Sequence, residues 1–160
     1  MTIYFLRHGD ASAAGHNHDS TRPLSGLGQE QSSAVGRYLV ETQADIGMVL
    51  CSPLVRARQT AEAVMREIGS VPIRESESLN SSSDPHDILS DLKKTGPKSV
   101  LIVGHEPHLS RTISLLLWGD IKSRVEMGKC SLACVSTPDP PEQGRGVLEW
   151  LVTSEQTRKA

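Results

Sequence analysis

The chain alternates short apolar runs with longer segments of helical periodicity, and this alternation restricts the folds that it can adopt. Two of the runs, Ile3–Leu6 and Val100–Val103, are apolar throughout, which is typical of strands buried on both faces. The other runs that predict strands are Met48–Leu50, Val71–Ile73, Leu132–Val135 and Val147–Val152. Strands that alternate with helices indicate an α/β fold in which helices cover both faces of the sheet.

Helices are predicted between these strands, where apolar residues recur at helical spacing. The predicted helices are Gly26–Thr42, Arg56–Ile68, one that starts after Asp84 and runs to about Lys94, and one from near Pro107 to Gly119. Asp84 and Pro85 are typical of a helix N-cap and first turn. A chain of 160 residues suits one domain. We expect residues 1–153 to form this domain and residues 154–160 to form a frayed polar tail.

Composition limits the kinds of partner that the protein is expected to bind and the compartment in which it is expected to work. The net charge is −2 and the chain has no run of Lys and Arg, which argues against nucleic acid and membrane surfaces as partners. The first residues lack the pattern of a signal peptide, and the longest apolar run, Leu115–Trp118, is too short to span a bilayer. Cys51, Cys130 and Cys134 form no paired framework. We therefore expect buried thiols, a reducing compartment and a cytoplasmic protein.

Arginine and histidine side chains follow three of the predicted strands. Arg7 and His8 come directly after the first strand, and Arg56 comes shortly after the second. His105 comes after the fourth strand. Because ligands of open α/β sheets bind beyond the carboxyl ends of the strands, we expect these four side chains to meet at one edge of the sheet.

These residue types suit the binding and cleavage of a phosphoryl group. Arg binds phosphoryl oxygens through paired N–H groups and stays charged at any working pH. A neutral imidazole such as that of His8 can attack phosphorus and hold the group until water removes it. A protonated His105 would stabilise transition-state charge, and Gly9 would let backbone amides approach the ligand. The helix near Pro107 would direct its N-terminus toward the site. The sequence therefore predicts a phosphate-cleaving enzyme.

A cysteine-dependent phosphatase is excluded by spacing. Such an enzyme needs the pattern Cys-x5-Arg, so that one loop and its Arg surround a single phosphate. Counted from Cys51, the Arg position is occupied by Ala57. Arg56 lies one residue too early and Arg58 one residue too late.

A zinc site is also disfavoured. The segment His105–His108 is one residue short of the His-Glu-x-x-His pattern, and Pro107 stands where a helix would have to continue. His16 and His18 lie in a polar loop, where exposure to solvent is expected. We therefore predict neither a structural nor a catalytic metal ion.

Four motifs of the chain resemble, in order, those of the histidine phosphatase superfamily, which includes phosphoglycerate mutases and many acid phosphatases. Leu6–Ala11 resembles the Arg-His-Gly signature of that family. Ser52–Ala61 resembles its Ser-Pro-x-x-Arg-Ala-x-Gln-Thr segment, and Val103–Pro107 resembles its third motif. Arg22–Gly28 resembles the Arg-Pro-Leu-Thr-x-x-Gly segment of the small SixA-type phosphohistidine phosphatase branch.

The resemblance implies a role for each candidate residue. His8 would be the nucleophile that becomes phosphorylated, and Arg7 and Arg56 would clamp the phosphoryl oxygens. His105 would bind the same group and support the transition state, and Arg22 would supply a further phosphate contact. The resemblance also implies a single-domain three-layer α/β/α sandwich with a mostly parallel central sheet, and no metal ion or other cofactor.

The identity of a proton donor stays open. Many members of the family take a carboxylic acid from the loop after the third strand. Here that loop contains Asn80, which cannot serve as an acid, and Asp84, which is assigned to helix capping. Asp10 and Glu106 are the alternatives, although a structural role is favoured for each. A missing acid suits a leaving group that departs easily, such as the nitrogen of phosphohistidine.

The chain has no long insertion that could cover the site, so the site is expected to admit a phosphorylated side chain on a protein surface. We therefore expect a phosphohistidine phosphatase that acts on a phosphorylated protein, such as a phosphotransfer domain, in a pocket that can hold phosphate or sulfate. Two alternatives stay open. One is a broad-specificity phosphomonoesterase of small phosphorylated metabolites, and the other is a non-catalytic phosphohistidine-binding module.

Overall fold

The strands form one mixed sheet that runs through the middle of the molecule. The computed structural model describes residues 1–13, 18–94, 96–122 and 124–160. Within these ranges, six strands lie in the order β3-β2-β4-β1-β5-β6. Their bounds are Thr2–Arg7, Met48–Cys51, Ile73–Glu75, Ser99–Gly104, Leu132–Ser136 and Val147–Val152 for β1 to β6. The strands β1 to β4 pair in parallel, whereas β5 and β6 are antiparallel to their neighbours.

Helices cover both faces of this sheet. The helices are Gly26–Glu41, Val55–Ile68, Pro85–Leu92, His108–Trp118 and Ser154–Lys159 for α1 to α5. Val35 of α1 and Val64 of α2 are buried in the core on one face. Ile88 of α3 and Ile113 of α4 are buried in the core on the other face. The predicted three-layer α/β/α sandwich with a mostly parallel sheet is therefore confirmed.

The central residues of β1 and β4 are apolar without interruption because both faces of these strands are buried. Ile3 and Phe5 of β1 pack into the core beneath α3 and α4, whereas Tyr4 and Leu6 pack into the core beneath α1 and α2. Every residue of β4 is buried in the same two-sided way. Because a central strand has no face exposed to water, it shows no alternation of polar and apolar residues.

Most helix boundaries follow the local signals in the sequence. The Asp84 side chain caps α3 by accepting from the His86 N–H at 2.9 Å, and Pro85 occupies the first turn. Ser25 caps α1 by accepting from the Gly28 N–H at 3.1 Å. Gly119 ends α4 in the left-handed region, with φ of 77°, where glycine carries no steric penalty.

Two expectations from the sequence are wrong. The third strand was expected at Val71–Ile73, but β3 spans Ile73–Glu75. All three β3 residues are exposed because the strand lies at the sheet edge. Since none of them has to be buried, the strand shows no run of apolar residues that could locate it. The expected frayed tail is instead the helix α5. Thr153 starts it with a capping box to Gln156, and its Thr157 is buried against the domain.

The three cysteines are free, buried thiols, as expected. Cys51, Cys130 and Cys134 belong to the same core, on the face covered by α1 and α2. Burial raises the pKa of each thiol, to about 11 or 12, so these side chains act as small apolar groups. None of the helices in the described ranges is long and apolar enough to cross a bilayer.

Candidate active site

The two histidines that follow β1 and β4 lie side by side. Arg7 and Gly104 are paired in the parallel ladder at the carboxyl ends of these strands. The next residues, His8 and His105, place their ring centroids 5.0 Å apart at an interplanar angle of 54°. The His8 N–H continues the ladder by donating to the Gly104 carbonyl at 3.1 Å.

Hydrogen bonds fix the tautomer of His8. Its Nδ1 lies 2.7 Å from the Gly9 carbonyl oxygen, and because a carbonyl only accepts, Nδ1 carries the ring hydrogen. On the other side of the ring, the Nε–H of Arg56 donates to His8 Nε2 at 3.3 Å. His8 therefore presents an unprotonated Nε2 beside a guanidinium group.

The pocket keeps His8 uncharged. Burial is the main cause, and with neighbouring positive charges it lowers the pKa of His8 to about 4, against the opposing hydrogen bond to Gly9. The positive charges are those of Arg56, Arg7 and Lys129. At neutral pH Nε2 is therefore unprotonated. In the free pocket its lone pair accepts from Arg56, so an electrophile must take the place of that donor before Nε2 can attack.

His105 is neutral as well. Burial lowers its pKa to about 3, helped by His8 and Arg56, so in the free pocket His105 lacks the second N–H that protonation would give it. The ring is held by Ser52, whose Oγ lies 2.7 Å from Nε2. A neutral imidazole still carries one N–H, so His105 retains one donor.

Three arginines reach the same pocket. Arg7 is anchored where its Nη1 donates to the Met127 carbonyl at 3.0 Å. Arg56 is almost fully buried and donates from Nη1 and Nη2 to Asp19. Arg22 is more exposed and is paired with the same carboxylate at 2.9 Å.

The pocket has a volume of about 210 Å³ and lies at the carboxyl ends of β1, β2 and β4. It is lined by Arg7, His8, Ala11, Arg22, Arg56, Ser81, His105, Glu106 and Lys129. A larger groove of about 820 Å³ lies between α2 and β3 and contains neither histidine. The five charged or imidazole side chains predicted from the sequence therefore meet in the smaller pocket.

Two buried polar atoms of this set lack a partner. Within the described parts of the chain, neither Arg7 Nε nor His105 Nδ1 makes a hydrogen bond. Buried polar groups are nearly always paired in folded proteins. The polar groups of the free pocket are therefore not all satisfied.

Gly9 has a different role from the one expected. Its N–H donates to Thr60 Oγ1 at 3.1 Å, so this amide is not available to a ligand. A Cβ at Gly9 would lie 2.7 Å from the Gly28 carbonyl oxygen, and a Cβ at Gly28 would lie 2.1 Å from the Asp10 carbonyl oxygen. The two glycines therefore let α1 pack directly on the loop that carries His8.

The three candidate acids are all engaged. Asp10 accepts from Lys129 Nζ and from Ser25 Oγ, each at 2.7 Å, and these bonds lower its pKa. The pKa of Asp84 is lowered by its capping bond to the His86 N–H. Both carboxyl groups are therefore ionised and cannot act as proton donors at neutral pH.

Glu106 is the one candidate acid that lines the pocket together with the histidines. Its Oε1 accepts from the Ser110 N–H at 3.0 Å, and its Oε2 accepts from the Ser110 hydroxyl. Glu106 therefore binds an amide in the first turn of α4, the helix that was expected to direct its N-terminus at the ligand.

Two residues of the pocket region were not predicted. Lys129 lies just before β5 and pairs with Asp10 across 119 positions, a contact that no local motif indicates. Asp19 lies three residues before Arg22 and pairs with it, a spacing that could have suggested the contact. His18 is exposed, and His16 lies outside the described residues. Among the residues described, no three His, Cys, Asp or Glu side chains form a group that could hold a metal ion.

Comparisons with known proteins agree with the fold and the motifs. Residues 3–82 match the model of the histidine phosphatase superfamily (branch 1). The chain is 28% identical over 159 residues to the phosphohistidine phosphatase SixA of Escherichia coli (strain K12), covering 96% of this chain and 94% of that protein. It is 30% identical over 137 residues to an uncharacterised protein of Picosynechococcus, covering 82% of each chain.

Comparison with solved structures also supports the fold. The protein histidine phosphatase SixA complexed with tungstate superposes with a TM-score of 0.85 and 27% identity, covering 98% of this chain and 99% of that one. The α-ribazole phosphatase of Shigella flexneri has the same fold, with a TM-score of 0.71 and 17% identity over 96% of this chain and 98% of that one. With half of its length matched by the family model and its motifs gathered in one pocket, the chain belongs to the histidine phosphatase superfamily.

Proposed function

We propose that this protein is a phosphohistidine phosphatase, which removes phosphoryl groups from a histidine on another protein through a phosphorylated His8. The observation that carries the proposal is the unprotonated Nε2 of His8, 3.3 Å from the Nε–H of Arg56. The unprotonated nitrogen has the lone pair that attack at phosphorus requires, and Arg56 places a group that can bind phosphoryl oxygens beside it.

The reaction has two steps. In the first, His8 Nε2 forms a bond to phosphorus while the bond between phosphorus and the imidazole of the substrate breaks. The departing imidazole takes up a proton from solvent water. In the second, water attacks the phosphorus atom while the bond between phosphorus and His8 Nε2 breaks. The attacking water gives a proton to solvent, phosphate leaves, and the neutral imidazole is restored. Throughout, the Nδ1–H of His8 stays bonded to the Gly9 carbonyl, which stabilises the positive charge that the ring acquires.

The basic side chains would hold the phosphoryl oxygens. Arg7, Arg56 and Arg22 line the pocket around His8, and guanidinium groups match the geometry of phosphoryl oxygens. The likeness to SixA, a protein known in complex with tungstate, also supports a pocket for a tetrahedral oxyanion such as phosphate or sulfate.

The lack of a free acid favours a phosphorus–nitrogen bond as the one that is cleaved. Asp10 and Asp84 are ionised and engaged elsewhere, and Asn80 donates to Glu77 instead of facing the pocket. An imidazole leaving group departs from phosphorus more readily than an alkoxide does. The similarity to a protein described as a phosphohistidine phosphatase supports the same choice.

A broad-specificity phosphomonoesterase is the second candidate, and Glu106 is the observation in its favour. Its carboxyl group lines the pocket, where it could protonate the oxygen of a departing ester. An ester substrate would need such a donor because alkoxides are poor leaving groups.

A direct comparison of substrates tests the proposal. The kcat/KM of the wild-type protein should be measured on a histidine-phosphorylated phosphotransfer domain and on p-nitrophenyl phosphate. We expect the phosphohistidine substrate to be preferred at least tenfold. Equal or reversed preference would favour the phosphomonoesterase. A third possibility, a module that binds without cleaving, predicts that rapid acid-free trapping recovers no acid-labile phosphate on His8.

A further inference from the structure

Asp19 contacts two of the arginines in the pocket at once. Its Oδ2 accepts from Arg56 Nη2 at 2.9 Å, and its backbone carbonyl accepts from Arg56 Nη1 at 2.8 Å. Its Oδ1 accepts from Arg22 Nε at 3.1 Å and from Nη2 at 2.9 Å. Within the described chain, Asp19 is the carboxylate shared by both guanidinium groups.

The pattern of bonds sets which edge of Arg56 faces His8. A guanidinium is planar, with five N–H groups in a fixed fork geometry. Asp19 occupies the edge formed by Nη1 and Nη2, whereas Nε faces His8 Nε2. The neighbouring edge, on which Nε–H and one Nη–H point in parallel, is thereby turned toward the proposed nucleophile.

The turn that carries Asp19 is anchored to the same helix as Arg56. Asp19 begins a short 3-10 turn, and the Arg22 N–H closes it by donating to the Asp19 carbonyl at 3.2 Å. Two residues later, the Leu24 N–H donates to Gln59 Oε1 of α2 at 2.7 Å. The turn and α2 therefore hold the carboxylate and Arg56 in a fixed relation.

The difference in burial between Asp19 and Arg56 shows that Arg56 depends on this ion pair more than Asp19 does. The Asp19 side chain is 64% exposed, whereas that of Arg56 is only 8% exposed. A buried guanidinium has few rotamers and requires a counter-charge, whereas an exposed carboxylate would be well solvated without one. Arg56, and then Arg22, lowers the pKa of Asp19, so the carboxylate is charged at neutral pH.

We infer that Asp19 is a positioning residue, which orients Arg56 and Arg22 so that their remaining N–H groups receive the oxygens of a phosphoryl group approaching His8. The inference rests on the proposed function. By charge alone, a carboxylate close to an anion site would weaken phosphate binding. The inference predicts the opposite, that Asp19 strengthens phosphate binding because it orients the two arginines.

The test replaces the carboxylate and measures phosphate binding as well as turnover. We expect Asp19→Asn to lower kcat/KM by roughly 10- to 100-fold, the scale of lost charged hydrogen bonds. It should weaken binding of inorganic phosphate, measured by calorimetry. It should lower Tm only slightly, because Asn keeps a side-chain acceptor and the backbone carbonyl of residue 19 still accepts from Arg56 Nη1. Glu142→Gln is the matched control, because Glu142 forms a similar exposed pair with Arg145 at 3.1 Å. That variant should stay within twofold of wild type.

Two further variants separate positioning from a merely structural effect. Asp19→Ala should lose most of its effect when Arg56→Ala is already present, because the group that it orients is gone. Asp19→Glu should recover part of the phosphate affinity, since it restores the charge in an exposed turn.

Opposite results would overturn the inference. Tighter phosphate binding in Asp19→Asn would mean that the carboxylate competes with the ligand, and equal effects of Asp19→Ala with and without Arg56 would mean that it acts elsewhere. Phosphate binding needs no turnover. If the wild-type protein hydrolysed neither substrate, the proposed function would be wrong. Calorimetry of phosphate binding would still test the role of Asp19 independently.

Discussion

Nε of Arg56 lies 3.3 Å from Nε2 of His8, so a permanently charged donor occupies the lone pair of a buried imidazole. An Arg side chain is not deprotonated in proteins, and its N–H can only donate. The bond therefore exists only while Nε2 is unprotonated. This relationship links the charge state of His8 to the geometry of the arginine.

The first prediction concerns pH. Because burial and the charges of Arg56, Arg7 and Lys129 lower the pKa of His8 to about 4, its ring should stay neutral from pH 8 down to about 5 and become protonated only below that. In NMR spectra, the Cε1–H resonance of His8 should show no titration near pH 6.5, the usual range for histidine. A midpoint between pH 6 and 7 would contradict the neutral nucleophile.

The second prediction concerns the nucleophile. His8→Ala should abolish turnover, because His8 is the histidine whose unprotonated ring nitrogen accepts from Arg56. The variant should keep its fold, since the strand that precedes residue 8 is held by backbone pairing. Activity is measured together with circular dichroism and Tm. Turnover close to the wild-type rate in a folded variant would remove His8 from the mechanism.

The third prediction concerns the groups around the phosphoryl site. Arg56→Ala and His105→Ala should each lower kcat by about 10²–10³, the scale for loss of one well-placed transition-state donor. Arg145→Ala, which removes an exposed Arg paired with Glu142, serves as the control and should leave the rate unchanged. A loss smaller than twofold would exclude the substituted residue from the site.

The fourth prediction concerns metal ions. The proposed chemistry uses only imidazole, guanidinium and water, so turnover should persist after prolonged incubation with EDTA. The measurement is the rate before and after chelation, with zinc or magnesium added back. A complete loss that zinc restores would revive a metal mechanism and contradict the one proposed.

The fifth prediction compares two glycines in the first turn of α1. Gly28→Ala should destabilise the protein strongly, because the new Cβ would lie 2.1 Å from the Asp10 carbonyl oxygen. Gly26→Ala should be neutral or slightly stabilising, because nothing lies within 4 Å of its Cβ position and alanine favours helices. Urea unfolding of both variants checks this contrast. Equal stability would mean that the helix can move away from the loop.

Much of the pocket could be predicted because strand ends determine it. Arg7, His8 and His105 follow buried strands, and parallel strands place their carboxyl ends at one edge. The position of β3 could not be read from apolar residues, since its residues are exposed. The partners Asp19 and Lys129 were missed for another reason. Both residues are polar and partly exposed. Asp19 lies 37 positions from its partner Arg56, and Lys129 lies 119 positions from its partner Asp10, so only the tertiary fold brings each pair together.

The parallel pairing of β1 with β4 has a consequence for the spacing of the two rings. Neighbouring strands in any sheet lie about 4.8 Å apart, and the ring centroids of His8 and His105 are separated by 5.0 Å. The distance between the imidazoles thus matches a constant of the polypeptide backbone. Substitutions elsewhere in the chain can accumulate without altering this dimension, so two sequences can differ widely while the central pair of rings keeps its separation.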